Sequence, residues 1–211
     1  MNSRLSYLMP ILLCFILTHV DSIAQSGRRK FDSSSGLFSL GTRNTASLFS
    51  DDIGTGVGIG GQFRLQIKDR LNTEWFADYI TSRNANITVR NDYHIGWSVL
   101  FYPGKPGYER LLKPYLLAGH CFDLTVMMEQ ANPSNRADRT SMATQAGLGT
   151  HINLTSRFDC SLSAQYMLHF GKEIHAEVET DAVFFEEHKH SVPHGHLLVT
   201  LSFNYKFADL W

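Results

Sequence analysis

The segment His196-Leu-Leu-Val-Thr-Leu-Ser-Phe-Asn-Tyr-Lys-Phe207, close to the C-terminus, decides the fold. Every odd position from Leu197 to Phe207 is apolar or aromatic, and the even positions are polar except for Leu198. Because a β-strand directs alternate side chains to opposite faces, this segment has one apolar and one polar face. The pattern alone fits a strand of a soluble antiparallel sheet or a strand that faces lipid, so the rest of the chain decides between them.

Seven earlier segments show the same alternation, which predicts eight strands of about ten or more residues, long enough to cross a bilayer when tilted. The predicted strands span 35–43, 56–68, 71–81, 92–102, 114–127, 143–155, 157–170 and the C-terminal segment from 196 onward. Connections are tight near Asp69-Arg70 and Thr155-Ser156 and of moderate length after the fourth strand, whereas those near 44–55, 82–91, 128–142 and 171–195 are longer and polar. An even strand count with short turns on one side and long loops on the other predicts a closed eight-stranded antiparallel up-and-down transmembrane β-barrel, with both termini in the periplasm.

The composition favours a lipid-facing surface over a water-facing one. Of the 211 residues, 43% are hydrophobic and 12% aromatic, while only 18% are charged. Soluble domains draw on about a quarter charged residues, so this fraction is low. The net charge of −1 gives no sign of a nucleic-acid-binding surface.

The two faces of the predicted strands differ in side-chain size. The polar faces hold many glycines and serines, as in a narrow interior, whereas the apolar faces carry aromatic residues near strand ends, as in the aromatic girdles of membrane barrels. We therefore expect the apolar face to contact lipid; a soluble periplasmic barrel is the alternative. His120 departs from the pattern because its parity directs it toward lipid. Cys121 and Cys160 fall on opposite faces, which predicts two unpaired thiols.

The N-terminus has the pattern of a secretory signal peptide, with Arg4 before an apolar stretch from Leu8 to Leu17 and small residues ending at Ala24. We expect a signal peptide over 1–24, a periplasmic tether over 25–34 and the barrel over 35–211. No other segment has the length and apolarity of a membrane helix, so we expect membrane contact through strands.

Three stretches carry a family resemblance: Gly56-Val-Gly-Ile-Gly-Gly-Gln-Phe-Arg-Leu, Lys113-Pro-Tyr-Leu-Leu-Ala-Gly and Gly147-Leu-Gly-Thr-His-Ile-Asn-Leu-Thr-Ser-Arg-Phe. They resemble the small outer-membrane β-barrel family of OmpA/OmpX-like and porin-like proteins, and the likeness covers nearly the whole mature chain. The resemblance implies the outer membrane of a Gram-negative bacterium. It is specific for architecture and weak for activity, since the family includes adhesins, membrane-stabilising proteins, complex subunits and a few lipid-modifying enzymes.

The inward positions of the predicted strands hold charged and titratable side chains. The predicted interior polar network comprises Arg64, Glu74, Asp78, His94, Asp123, His151, Asp159 and His169. Because buried charges must pair and form hydrogen bonds, and an eight-stranded barrel is filled by its own side chains, we expect no continuous pore. A narrow small-solute channel is the alternative.

The long loop at 171–195, with the adjoining His196, is rich in histidine and acid. Imidazole and carboxylate groups bind zinc, copper or nickel, so a metal site at His188, His190, His194 and His196 is a hypothesis, although no recognised ligand spacing is present. A solvated loop that meets lipopolysaccharide, with divalent cations between them, is the alternative. Phe184 and Phe185 indicate a contact with a protein partner or the membrane surface.

Catalysis on lipid A is the third functional alternative. It would need a nucleophile, a base and an acid in reach of one another. Ser191, with His190 or His194 and Glu186 or Glu187, offers these groups, but in a loop rather than on rigid strands. We expect a non-enzymatic structural or partner-binding role without a cofactor, with the outer-membrane lipid and lipopolysaccharide as surroundings.

Overall fold

The computed structural model describes residues 35–49, 54–84, 87–104, 110–171, 173–179, 182–188 and 194–211, and these ranges contain the strands. In chain order the strands are β1 (Leu37–Phe49), β2 (Thr55–Lys68), β3 (Leu71–Asn84), β4 (Thr88–Phe101), β5 (Leu112–Glu129), β6 (Arg136–Asn153), β7 (Phe158–Phe170), β8 (Glu173–Glu179), β9 (Ala182–His188) and β10 (His194–Asp209). The predicted signal peptide and tether lie outside the described residues and stay predictions.

Eight of these strands close into an antiparallel barrel in the order β1-β10-β7-β6-β5-β4-β3-β2, with β2 hydrogen-bonded back to β1. The strands pair with their neighbours in sequence, and β10 closes the ring between β7 and β1. This confirms the eight-stranded up-and-down barrel. Among the described residues no helix is long and apolar enough to cross a membrane.

The strands extend further at the loop end than the alternation predicted. β1 continues to Phe49 and β6 begins at Arg136, where the sequence predicted loops, and the β5–β6 ladder reaches the pair Met128–Arg136. Backbone pairing continues there although the apolar alternation has ended, because hydrogen bonds between strands do not depend on a lipid-facing side chain. The long last loop also contains a two-stranded hairpin, β8–β9, where only a polar loop was expected.

The outward face is apolar, as the alternation predicted. Leu197 and Leu201 of β10 are 36% and 38% exposed, and both lie on the outer surface. Aromatic rings form a continuous row on the periplasmic half, in which Phe63 stacks on Trp75 at 6.0 Å and Trp75 meets Trp97 at 6.2 Å between ring centroids. In a soluble barrel the polar face of the strands would point to water, whereas here the polar face lines the buried interior.

His120 lies on the outer surface, half-buried, with its ring edge-on to Phe122 at 5.1 Å between centroids. The two cysteines are free, with Cys121 buried in the barrel and Cys160 half-buried on the other face. The predicted parity of all three positions is confirmed.

Glycine permits the close approach of neighbouring strands at the interior surface. A Cβ atom on Gly119 would collide with the Trp97 carbonyl oxygen and the Ser98 side chain of β4. A Cβ atom on Gly61, which faces outward, would find its nearest neighbour 3.8 Å away. The small residues on the inward face therefore leave room for the longer polar side chains between them.

Candidate functional site

The interior of the barrel holds all eight residues of the predicted polar network, and each is buried. They fall into three groups with partners that the sequence did not identify. We call these the periplasmic network (Arg64, Tyr102, His151, Asp159, Lys206), the central network (Arg43, Gln62, Glu74, Asp78) and the His–Asp cluster (Asp92, His94, Asp123, His169, His196).

The periplasmic network is centred on a bidentate ion pair. Arg64 donates hydrogen bonds from Nη2 to both carboxylate oxygens of Asp159, at 2.7 and 2.8 Å. Its Nη1 lies 2.8 Å from His151 Nδ1, and the Tyr102 hydroxyl lies 2.9 Å from His151 Nε2. Lys206 Nζ lies 3.7 Å from Asp159, which brings β10 into the same group. One guanidinium nitrogen of Arg64 thus contacts both carboxylate oxygens, and such charge-assisted hydrogen bonds are stronger than neutral ones.

A small cavity lies beside this network at the periplasmic end of the barrel. It is lined by Arg64, Lys113 and Lys206 among others and measures about 20 Å³. That volume holds about one water molecule, so it is a pocket and not a passage.

The central network joins β1, β2 and β3 through Arg43. This guanidinium donates from Nε to both oxygens of Asp78 at 2.9 and 3.0 Å, and from Nη1 to Glu74 at 2.8 Å and Gln62 at 2.9 Å. It also lies 4.4 Å from the centre of the Phe76 ring. One arginine thus serves two buried carboxylates, whose cost of burial falls when they are paired and hydrogen-bonded.

A buried apolar layer also fills the lumen and is interleaved with both polar groups, since Phe76 and Ile80 flank Asp78 on β3 and Asp78 pairs with His94 on β4. Its members are Phe76, Ile80, Cys121, Ala143, Met167 and Leu198. Leu198, the one exception to the alternation of the C-terminal segment, lies fully buried in this layer. The apolar residue at an inward position therefore fills the lumen.

The His–Asp cluster lies toward the loop end of the barrel, with His169 and His196 near the ends of β7 and β10. His94 Nε2 is 3.3 Å from Asp123 Oδ1, and His169 Nδ1 is 3.1 Å from Asp123 Oδ2. The His196 ring is stacked on His94 at 6.0 Å and lies 4.8 Å from His169, between ring centroids. Four strands, β4, β5, β7 and β10, bring these side chains together.

Of the four histidines in the hypothetical loop metal site, the structure describes the side chain of His196. His196 lies inside the barrel on β10 rather than in the loop, because it has the inward parity of Leu198 and Thr200. The backbone of His188 pairs with Glu173 in the hairpin, and that of His194 pairs with His169. His190 and Ser191 lie outside the described residues, so the loop site and the loop triad stay predictions.

Two Ser–His–Asp groups occur in the interior, Ser161–His151–Asp159 and Ser141–His169–Asp123. In a catalytic triad the serine and the acid contact opposite nitrogens of the imidazole ring. Here Ser161 and Asp159 both approach Nδ1 of His151, at 3.0 and 3.9 Å. The second group has the same arrangement at His169 Nδ1. Neither group has the geometry of a nucleophile activated by a base.

The hairpin β8–β9 is the principal feature of the long loop. Ile174 and Val183 are buried, and Asn135 donates a hydrogen bond to the Val183 carbonyl oxygen at 2.8 Å. Phe184, the next residue, is 53% exposed. It stands opposite Glu177 in the hairpin ladder. One side of the hairpin is thus buried while the other presents an aromatic ring beside an acidic residue.

Several interior residues escaped sequence reasoning. Arg43, Arg90, Asp92 and Lys206 were not assigned to the network, although all four have inward parity on the observed strands. Arg90 and Asp92 lie on the part of β4 at or beyond the edge of its predicted range. If the predicted fourth strand is extended to the end of its hydrogen-bonded partner strand, it includes Arg90 and Asp92.

Comparison with known proteins agrees with this architecture. No family model matches the sequence, and no curated protein matches it either. Solved structures do match: the N-terminal β-barrel domain of Pseudomonas aeruginosa OprF has a TM-score of 0.53 at 14% identity and covers 82% of this chain and 98% of that one. Neisserial surface protein A has a TM-score of 0.52 at 17% identity, with coverage of 82% and 98%. A major outer membrane protein from Thermus thermophilus has a TM-score of 0.55 at 10% identity, with coverage of 81% and 99%.

These similarities confirm the small outer-membrane barrel fold that the three sequence stretches predicted. Together with the apolar outer face and the closed ring of strands, they place the chain in the cell outer membrane. At such identities the likeness concerns the fold alone.

Proposed function

We propose that this outer-membrane barrel is a non-enzymatic anchor without a continuous pore, and that its extracellular hairpin binds a partner protein. The observation that carries the proposal is the filled interior. Two ion-paired networks, an apolar layer and the His–Asp cluster together occupy the lumen. The hairpin then offers the contact surface that the interior does not.

The chemistry of the hairpin indicates the kind of partner. Phe184 lies between Glu177, its partner in the ladder, and Glu186, two positions further along the same face. The segment 172–196 as a whole has six carboxylates and two lysines. An aromatic side chain flanked by acids fits a protein surface with an apolar pocket and basic residues at its rim, and it disfavours direct contact with lipid phosphates.

Site-specific photo-cross-linking in intact cells tests this surface. A benzoylphenylalanine at position 184 keeps the aromatic character of the native residue, and one at Pro133, exposed in the β5–β6 connection on the same side, is the matched control. We expect a discrete protein adduct from position 184 and none from 133. Equal yields at the two positions, or no adduct at 184, would remove the partner-binding part of the proposal.

The absence of a pore has an independent test. Purified barrel reconstituted in planar bilayers should give no stepwise conductance, because a solute would have to displace both ion-paired networks and the apolar layer. Reproducible single-channel steps would favour the narrow channel instead. A change in the mass of lipid A on expression of the protein would favour the lipid-modifying enzyme.

A further inference from the structure

The His–Asp cluster has the composition and spacing of a metal centre, and we propose that it binds one divalent transition-metal ion of the zinc class inside the barrel. The candidate ligands are Asp92, His94 and Asp123, with His169 and His196 close by. Ligand atoms of Asp92, His94 and Asp123 all lie within 4.8 Å of one another. This site is distinct from the loop site that the sequence suggested, although both include His196.

The charge of Asp123 sets it apart from the other carboxylates inside the barrel. The other acidic side chains inside the barrel each have an arginine: Asp159 pairs with Arg64, Glu74 and Asp78 share Arg43, and Asp92 pairs with Arg90. Among the described residues, no lysine or arginine lies within ion-pair distance of Asp123, which is 3% exposed and meets only imidazoles and hydroxyls. A buried carboxylate needs a compensating positive charge, which here comes either from a protonated histidine or from a bound cation.

Several buried nitrogen and oxygen atoms that lack a hydrogen bond lie in this cluster. His94 is 1% exposed and both of its ring nitrogens are in this state, as are Asp123 Oδ1 and His169 Nε2. The contact between His94 Nε2 and Asp123 Oδ1 has a suitable length but not the direction of a hydrogen bond. Because buried polar atoms are almost always satisfied, this concentration at one place points to a ligand that accepts their lone pairs.

One distance between ligand atoms in the cluster matches the spacing around a bound zinc ion. Zinc binds imidazole nitrogen and carboxylate oxygen at about 2.1 Å, which separates neighbouring ligand atoms of a tetrahedron by about 3.4 Å. The 3.3 Å between His94 Nε2 and Asp123 Oδ1 agrees with this spacing. Imidazole and carboxylate together suit zinc, nickel, copper and iron better than magnesium or calcium, which prefer oxygen ligands.

The surroundings of the cluster supply the outer hydrogen bonds that metal ligands require. Ser141 donates to Asp123 Oδ2 at 3.1 Å, and Thr125 donates to Asp92 at 2.6 Å. Such contacts hold a carboxylate in place for its metal. On the neighbouring strand β3, Asp78 of the central network stands opposite His94.

Metal content after refolding tests the proposal. The untagged barrel is refolded in detergent with ZnCl₂ present from the start, so that slow entry into a closed barrel does not limit binding, and is then desalted and its zinc counted. We expect one zinc per barrel. His94→Asn and Asp123→Asn should each weaken binding at least about 100-fold, the upper range for loss of a mere supporting contact.

Two controls distinguish this site from others. His120→Asn, on the lipid-facing surface, and the double variant His188→Asn/His190→Asn, in the loop, should both retain one zinc. Cobalt in place of zinc gives a visible spectrum that reports nitrogen and oxygen ligands, and heat-dependent gel mobility distinguishes a folded barrel from a misfolded one. A folded wild-type barrel without zinc, or binding lost in the loop variant but kept in His94→Asn, would overturn the proposal.

Discussion

Arginine placed on β10 at two depths tests whether the outer face contacts lipid. Leu201 pairs with Leu162, four residues from the Leu197–Tyr166 pair and four from the Tyr205–Phe158 pair. With about 3.4 Å per residue and a tilt of about 40°, four residues advance about 10 Å along the membrane normal. Leu201 therefore lies midway between two aromatic levels about 20 Å apart, close to the bilayer centre.

Leu201→Arg should lower the free energy of unfolding by about 2–4 kcal/mol, whereas Leu197→Arg, at the aromatic level, should lower it by about 0–1 kcal/mol. The two leucines are 38% and 36% exposed and lie on the same strand and face, so depth is the main difference between them. The resulting gap of about 2–3 kcal/mol corresponds to about a 30- to 150-fold change in the folding equilibrium.

Equilibrium unfolding in urea, with the protein refolded into phosphatidylcholine vesicles and followed by tryptophan fluorescence, measures both costs. Thr200→Asn is the interior control, because the Thr200 hydroxyl lies 3.2 Å from that of Thr45 on the neighbouring strand and asparagine retains a hydrogen-bonding group. Its cost should stay below about 1 kcal/mol. If the two arginine variants cost the same, or if Leu201→Arg is as mild as Thr200→Asn, the assignment of the outer face to lipid is wrong.

The same unfolding assay checks two further expectations. Arg64→Met should cost about 3–5 kcal/mol, because it leaves the buried Asp159 carboxylate without its bidentate partner, and Arg64→Met/Asp159→Leu should recover most of that loss; a cost below about 1 kcal/mol for the single variant would indicate a water-filled interior. Gly119→Val should cost about 1–3 kcal/mol because its side chain collides with the Trp97 carbonyl, whereas Gly61→Ala, with 3.8 Å to its nearest neighbour, should be nearly neutral. Equal effects at the two glycines would contradict the close strand approach.

Strand number, parity and the inward residues could be predicted because each depends on a period of two along one strand. His94 and Asp123 were assigned to the same interior face in this way, and they lie opposite each other in the β4–β5 ladder. The predicted strands were too short at the extracellular side. The apolar alternation stops where contact with lipid stops, whereas the hydrogen bonds between strands continue beyond that point. The β8–β9 hairpin was missed because its residues do not face lipid and show no sustained apolar alternation.

The ion-pair partners inside the barrel could not be predicted, because the two members of each pair come from different strands. Arg43 meets Glu74 and Asp78 two strands away, and Arg64 reaches Asp159 across the lumen. Parity restricts each side chain to the interior but leaves its height and its neighbours open. Those follow from the register and from the closure of β10 between β7 and β1.

The sequence by itself predicted a barrel of eight strands and favoured lipid over a soluble core as the cover of its apolar face, because alternating apolarity over eight segments occurs together with a low fraction of charged residues. It also assigned eight charged or titratable side chains to the interior, while Arg43, Arg90, Asp92 and Lys206 were found there only in the structure. Only the tertiary structure decided that Asp123 would lie among His94, His169 and His196, with no arginine of the described residues paired to it, since these residues come from four strands whose relative heights are set when the barrel closes. The physical reason is that alternation is a local property of each strand, whereas the meeting of charges across a lumen is a property of the closed ring.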